Sequence, residues 1–128
     1  MCGIIGIASN KPVSMNIINS LKKLEYRGYD SAGLATLDND KISEKKCSGR
    51  VEELEKILFK NPSDGQLGIG HVRWATHGVP SIINAHPHSS EIVSVVHNGI
   101  IENSDDLKRE LEEKGLKFKS QTDTEVIT

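Results

Sequence analysis

The chain has 128 residues, the length of a single domain. With 36 % apolar, 27 % charged and only 4 % aromatic residues, it excludes disordered, collagen-like and disulfide-scaffold classes and predicts a core of Ile, Leu and Val. A net charge of −2 gives no basic footprint, which argues against nucleic acid or an anionic membrane surface as a partner. The apolar runs are too short to span a membrane, and the opening MCGIIGIASNKP has neither the charged region nor the cleavage pattern of a signal peptide, so the expected location is the cytoplasm.

Residues 3–8 are short, apolar and β-branched and predict a buried strand that Pro12 closes. Ser14 is expected to cap a helix carrying Ile17, Ile18, Leu21 and Leu24 on one face, with Gly28 as its C-terminal stop. Residues 32–37 and 41–47 predict a hairpin about an Asp-Asn-Asp turn. A second amphipathic helix follows, marked by Val51, Leu54, Ile57 and Leu58 and capped by Ser48. Residues 61–65 predict a loop and 67–74 a strand. Residues 75–90, rich in Gly, Pro, His, Asn and Ser, predict a loop of the length that usually has a binding or catalytic job. Residues 91–98 predict a strong strand, 104–114 a third helix ended by Gly115, and the surroundings of Phe118 a short strand. Thr122-Asp123-Thr124-Glu125 opens a further element. The mixed order predicts an α+β fold with a largely antiparallel sheet.

Several residues could do chemistry. Cys47, in a polar stretch, reads as a small half-buried residue, and a disulfide with Cys2 is not expected in a cytosolic chain. Cys2 becomes N-terminal if Met1 is removed. Its α-amine, with a reference pKa of roughly 8, then lies beside its own thiol, so one residue supplies both nucleophile and base. Asn98-Gly99 reads alone as a turn, but an Asn amide beside a Gly N–H also makes a two-donor oxyanion hole. Arg73 is either a surface charge or a bidentate grip on a carboxylate, and Trp74 either core or part of a site. Asp123 is either a helix N-cap or a partner for an ammonium group. His77, His86 and His88 share the long loop, but without a spacing that binds a metal, and neither metal nor cofactor is expected.

Six motifs carry a resemblance when taken in order: CGIIG at the start, LEYRGYDSAG over residues 24–33, GIGHVRWATHG over 68–78, NAHPH over 84–88, VHNGIIEN over 96–103 and SQTDTEVI over 120–127. Together they resemble the N-terminal glutaminase domain of the glutamine–fructose-6-phosphate aminotransferases, class II glutamine amidotransferases of the N-terminal-nucleophile hydrolase superfamily. The resemblance implies a four-layer αββα sandwich, of which residues 1–128 would be a truncated, N-terminal portion, with the sugar-isomerase domain outside the sequence. It implies hydrolysis of glutamine to glutamate and ammonia, with Cys2 as nucleophile and Asn98 and Gly99 as oxyanion hole. Arg73, helped by Thr76 and His77, would take the glutamine α-carboxylate. Asp123 would take the α-ammonium, and Trp74 would cover the bound substrate. In the full-length family the ammonia aminates fructose 6-phosphate to glucosamine 6-phosphate, and the enzyme is a homodimer. The competing expectation is a catalytically inactive, truncated module that binds glutamine or another chain.

Overall fold

The computed structural model describes residues 1–75 and 78–128. The predicted first strand is β1 (Gly3–Ala8), but it is an edge strand with Ile4 half exposed rather than a buried one; α1 (Ser14–Leu24) and a 3-10 turn over Glu25–Arg27 follow. Strands β2 (Ser31–Asp38) and β3 (Lys41–Ser48) form the expected hairpin. Asn39 and Asp40 make its turn, both at positive φ (48° and 61°), as a tight two-residue connection requires. Helix α2 (Val51–Lys60) leads to β4 (Leu67–Arg73), which ends one residue short of Trp74.

The four strands build one antiparallel sheet in the order β1-β4-β2-β3. Helix α1 packs on β1 and β4, α2 on β2 and β3, and the helices touch each other. Both therefore cover the same face. Ile17, Ile18, Leu21, Leu34, Leu54, Val51 and Val72 are fully enclosed between the layers. Burying each such aliphatic side chain contributes about 1.5–3 kcal/mol. Residues alternate across β4, so Val72 joins this core while His71 and Arg73 point to the opposite face. The chain around His86 covers that face, its carbonyl lying directly over Gly33.

Both predicted helix caps are corrected. Ser14 lies inside the first turn of α1, the cap position is Val13, and no side chain bonds there. Ser48 closes β3, and α2 is capped from a distance: the Glu25 carboxylate accepts the Val51 N–H at 2.8 Å and pairs with Arg50 at 3.3 Å. Gly28 does not stop a helix in a left-handed conformation. Its backbone is extended (φ −179°) and its role is close approach, as the site shows.

The strong strand over residues 91–98 shrinks to β6 (Ser94–Val95), paired with β5 (His88–Ser89). The surrounding backbone is claimed by other groups: Val93 turns back on Ser90, and the His97 carbonyl goes to a histidine ring. Helix α3 (Ser104–Glu113) ends as expected, with Gly115 at φ +91°. No strand forms around Phe118. The Lys119 and Ser120 N–H groups donate to the Glu125 carboxylate instead, at 2.8 and 2.6 Å, and Lys108 sits over the Phe118 ring. The last element is a 3-10 turn over Thr124–Ile127. No helix is long and apolar enough to cross a membrane among the described residues.

Glu25→Ala is expected to lower stability by about 1 kcal/mol, the usual cost of losing an N-terminal cap, read from urea unfolding. An unchanged midpoint would show that α2 does not depend on this carboxylate.

Candidate functional site

Register brings Cys2 to the site. Gly3 pairs with Val72, so the residue before it arrives at the end of β4. There the Trp74 N–H donates to the Cys2 sulfur at 3.3 Å, and the thiol lies 3.6 Å from the Trp74 carbonyl oxygen. The Cys2 carbonyl is gripped twice, by Arg27 Nε at 3.1 Å and by Asn98 Nδ2 at 3.0 Å. The sulfur is thus fixed by the Arg73–Trp74 backbone, and Asn98 is held beside Cys2 by one of its two amide hydrogens.

The YRGYD segment supports this arrangement. A methyl group at Gly28 would come within 2.5 Å of the Arg73 carbonyl and 2.7 Å of the Trp74 nitrogen, so only glycine lets the two backbones meet. Tyr29 packs edge-on against Trp74, with ring centroids 6.3 Å apart. The Asp30 carboxylate accepts the Ala75 N–H and the Ser31 hydroxyl.

Arg73 and Asp123 are both buried. The Arg73 guanidinium donates to the carbonyls of Val79 (3.3 Å) and Gly78 (3.4 Å), holding the loop beyond Trp74. Asp123 occupies the cap position of the final 3-10 turn but makes no capping bond there. It reaches across to accept the Ile101 N–H at 2.6 Å. Cys2, Arg73, Trp74, Gly99 and Asp123 line one small cavity with His86, His97, Thr122 and Thr124. Its volume is about 20 Å³, enough for roughly one water and too small for an amino acid. Trp74 lines this cavity while half of its own surface stays exposed. Thr76 and His77 lie outside the described residues.

Sequence reasoning missed the polar support beneath the site. His71 and His86 stack at 4.2 Å, and His88 meets His86 edge-on at 4.7 Å. Thr124 Oγ1 lies 2.9 Å from His86 Nε2 and 3.2 Å from His97 Nδ1, while Thr122 Oγ1 lies 2.8 Å from His88 Nε2. Asn84 ties the loop to this end of the chain: Nδ2 donates to Val79 O and Gln121 Oε1, and Oδ1 accepts the Gln121 N–H. Spacing alone could not join these residues, although NAHPH and TDT flagged part of the set. Among the described residues no group of three or more His, Cys, Asp or Glu side chains is arranged to hold a metal ion.

Burial keeps the histidines neutral. It pushes His71 down to about 4, with Arg73 and the neighbouring rings adding to the effect and the His97 carbonyl opposing it. Burial and then Lys46 push His88 down to about 4, while Glu125 opposes them. Burial and the His71 charge lower His86 further. Cys47 is fully buried rather than half-buried, and burial pushes its thiol up, which leaves it unreactive beside the accessible Cys2.

An unfolded histidine binds a proton near pH 6.5, but these rings bind one only near pH 4 or below. Between those values the unfolded chain holds more protons, so stability falls as pH drops through that window. The urea midpoint is expected to decline from about pH 7 to about pH 4.5, and a flat profile would contradict a neutral buried cluster.

Residues 55–128 match the family of glutamine amidotransferase domains. A glutamine–fructose-6-phosphate aminotransferase of Clostridium acetobutylicum is 57 % identical over 129 residues, and one of Bradyrhizobium diazoefficiens is 54 % identical over 127. Each alignment covers 99 % of this chain and 21 % of the relative, so the chain spans about a fifth of those proteins. Among solved structures, a glutamine phosphoribosylpyrophosphate amidotransferase from B. subtilis superposes with a TM-score of 0.82 at 29 % identity, over 99 % of this chain and 28 % of that one. A structure described as the allosteric regulatory enzyme of purine biosynthesis gives the same TM-score at 30 % identity, with the same coverage.

Proposed function

The chain belongs to the glutamine amidotransferase domain family, and from that premise we propose that its Cys2 site hydrolyses the side-chain amide of glutamine to glutamate and ammonia. The observation that carries the reading is the single cavity on which Cys2, Arg73, Gly99 and Asp123 converge from four separate parts of the sequence. A free amino acid carries one anion, one cation and one reactive amide, and this set offers a partner for each.

Met1 stands exposed ahead of Cys2 and is accessible for removal. Once it is gone, the Cys2 α-amine takes the thiol proton, through a water where the direct geometry is tight, and the thiolate attacks the amide carbon. The negative charge that develops on the amide oxygen is met by the other Asn98 amide hydrogen and the Gly99 N–H. The C–N bond breaks, ammonia leaves with the proton returned by the α-ammonium, and a thioester remains on Cys2. Water, deprotonated by the same amine, releases glutamate. Arg73, with Thr76 and His77, binds the α-carboxylate, Asp123 binds the α-ammonium, and Trp74 moves aside and then covers the substrate. Residues 1–128 would form the N-terminal part of the glutaminase domain. In a full-length, homodimeric, cytoplasmic enzyme the ammonia would pass to a sugar-isomerase domain that aminates fructose 6-phosphate. The relatives named as aminotransferases support that step.

The second reading is a catalytically inactive, truncated module that binds glutamine or another chain, and a cavity with room for one water is consistent with it. A diazoketone analogue of glutamine separates the two. The Met1-free chain is expected to gain one adduct by mass, on Cys2, blocked by excess glutamine, and Cys2→Ala is expected to lose both adduct and glutamate release while keeping its melting temperature. Absence of an adduct on a folded, Met1-free chain would favour the inactive module.

A further inference from the structure

The Asp123–Thr124 pair brackets the turn that contains Asn98 and Gly99. Asp123 Oδ2 accepts the N–H of Ile101 on one side of that turn, and Thr124 Oγ1 meets Nδ1 of His97 on the other. The His97 carbonyl is fixed as well, by His71 Nε2 at 3.1 Å, and Gly99 lies against the His97 ring, where a methyl group would come within 2.8 Å of Nε2. The segment is therefore held at both ends by two adjacent residues, one of which is the carboxylate assigned to the substrate ammonium.

Proton bookkeeping fixes the His71 bond and narrows the directions of the others. A carbonyl only accepts, so His71 carries its hydrogen on Nε2 and leaves Nδ1 bare. A carboxylate also only accepts. Thr124 has one hydroxyl hydrogen, and Asp123 Oδ1 lies 3.4 Å from its oxygen, at the long limit of a hydrogen bond. Its two lone pairs remain, and two ring nitrogens face them: His86 Nε2 and His97 Nδ1. Taking both as donors leaves the hydroxyl hydrogen for the Asp123 carboxylate. His86 is left with a bare Nδ1, and His71 Nδ1 and His86 Nδ1 are the two buried side-chain atoms without a partner among the described residues. Under this assignment each is a lone pair, which costs less to strand in the interior than an N–H would.

We propose that Thr124, through a hydroxyl that donates to Asp123 and accepts from His86 and His97, is a positioning residue that couples the ammonium-binding carboxylate to the Asn98–Gly99 turn. The role in catalysis rests on the reading of the site given above; the hydrogen placement does not. Thr124 touches neither the nucleophile nor the reacting amide. It acts by setting the Asp123 oxygen and the His97 ring in one arrangement, so that substrate binding and oxyanion placement share a single bond network.

The test is long-range nitrogen NMR of histidine in the full Met1-free chain at neutral pH, together with glutamine kinetics. The unmodified chain is expected to show Nε2–H tautomers for His71 and His86 and the Nδ1–H tautomer for His97. Thr124→Val is expected to disturb the His86 and His97 signals, to raise KM and to lower kcat, with about tenfold or more lost from kcat/KM. Thr124→Ser, which keeps the hydroxyl, is expected to restore the tautomers and kinetics nearly fully. A His86 Nδ1–H or a His97 Nε2–H in the unmodified chain would overturn the assignment, without need of any variant. Unchanged kinetics in a folded Thr124→Val chain would overturn the coupling. A chain that binds glutamine but hydrolyses none would sink the proposed function; the tautomers, and the loss of glutamine affinity in Thr124→Val, would then decide the inference.

Discussion

The antiparallel pairing of β1 with β4 is the constraint from which the site follows. Once Gly3 lies opposite Val72, Cys2 has little choice but to meet the Arg73–Trp74 backbone, a contact between residues 72 apart in sequence. The same pairing puts Val72 into the helix-covered core and its neighbours His71 and Arg73 on the other face. One strand therefore anchors the core, holds the sulfur and presents the guanidinium. Removing the Gly28 approach would push on the same peptide, since that glycine backs directly onto it.

Beneath the site, burial is used to hold neutral rather than charged groups. His71, His86 and His88 are kept uncharged by desolvation, and their ring nitrogens are tied to threonine hydroxyls and one carbonyl. A neutral imidazole can donate on one nitrogen and accept on the other, so such a cluster carries direction in its hydrogen bonds without the cost of a buried charge. The charged members, Arg73 and Asp123, sit at the cavity itself, each with backbone partners that fix it. The site thus separates rigid neutral support from the ionic groups that would meet a zwitterionic substrate.

The sequence displayed what is local. The apolar, β-branched run of residues 3–8, the Ile17–Leu21 face of α1, the Asn39-Asp40 turn and the Gly115 stop all depend on near neighbours, and the structure has these elements, although β1 lies at the sheet edge and is only partly buried. It hid what depends on distant partners. Ser48 has the chemistry of a cap for α2, but the Val51 N–H goes to Glu25, 26 residues upstream. The run over residues 91–98 has every mark of a strand, yet its backbone is spent on a turn and on the His71 ring. Phe118 fails as a strand for the same reason, because Glu125 satisfies the amides beside it. At the site, the ordered motifs placed Cys2, Arg73, Asn98, Gly99 and Asp123 in one family pattern. The supporting roles of Thr124, Asn84 and His71 could only come from three-dimensional contacts.

The proposed chemistry requires Cys2 to be N-terminal, with its own α-amine as the base. The most direct measurement is release of glutamate from glutamine by two forms of the chain, one with Met1 removed and one with it retained, at equal concentration and equal folded fraction. Turnover is expected in the Met1-free form and none in the other, because the retained residue converts the amine to an amide that cannot accept a proton. Equal turnover in both forms would contradict it.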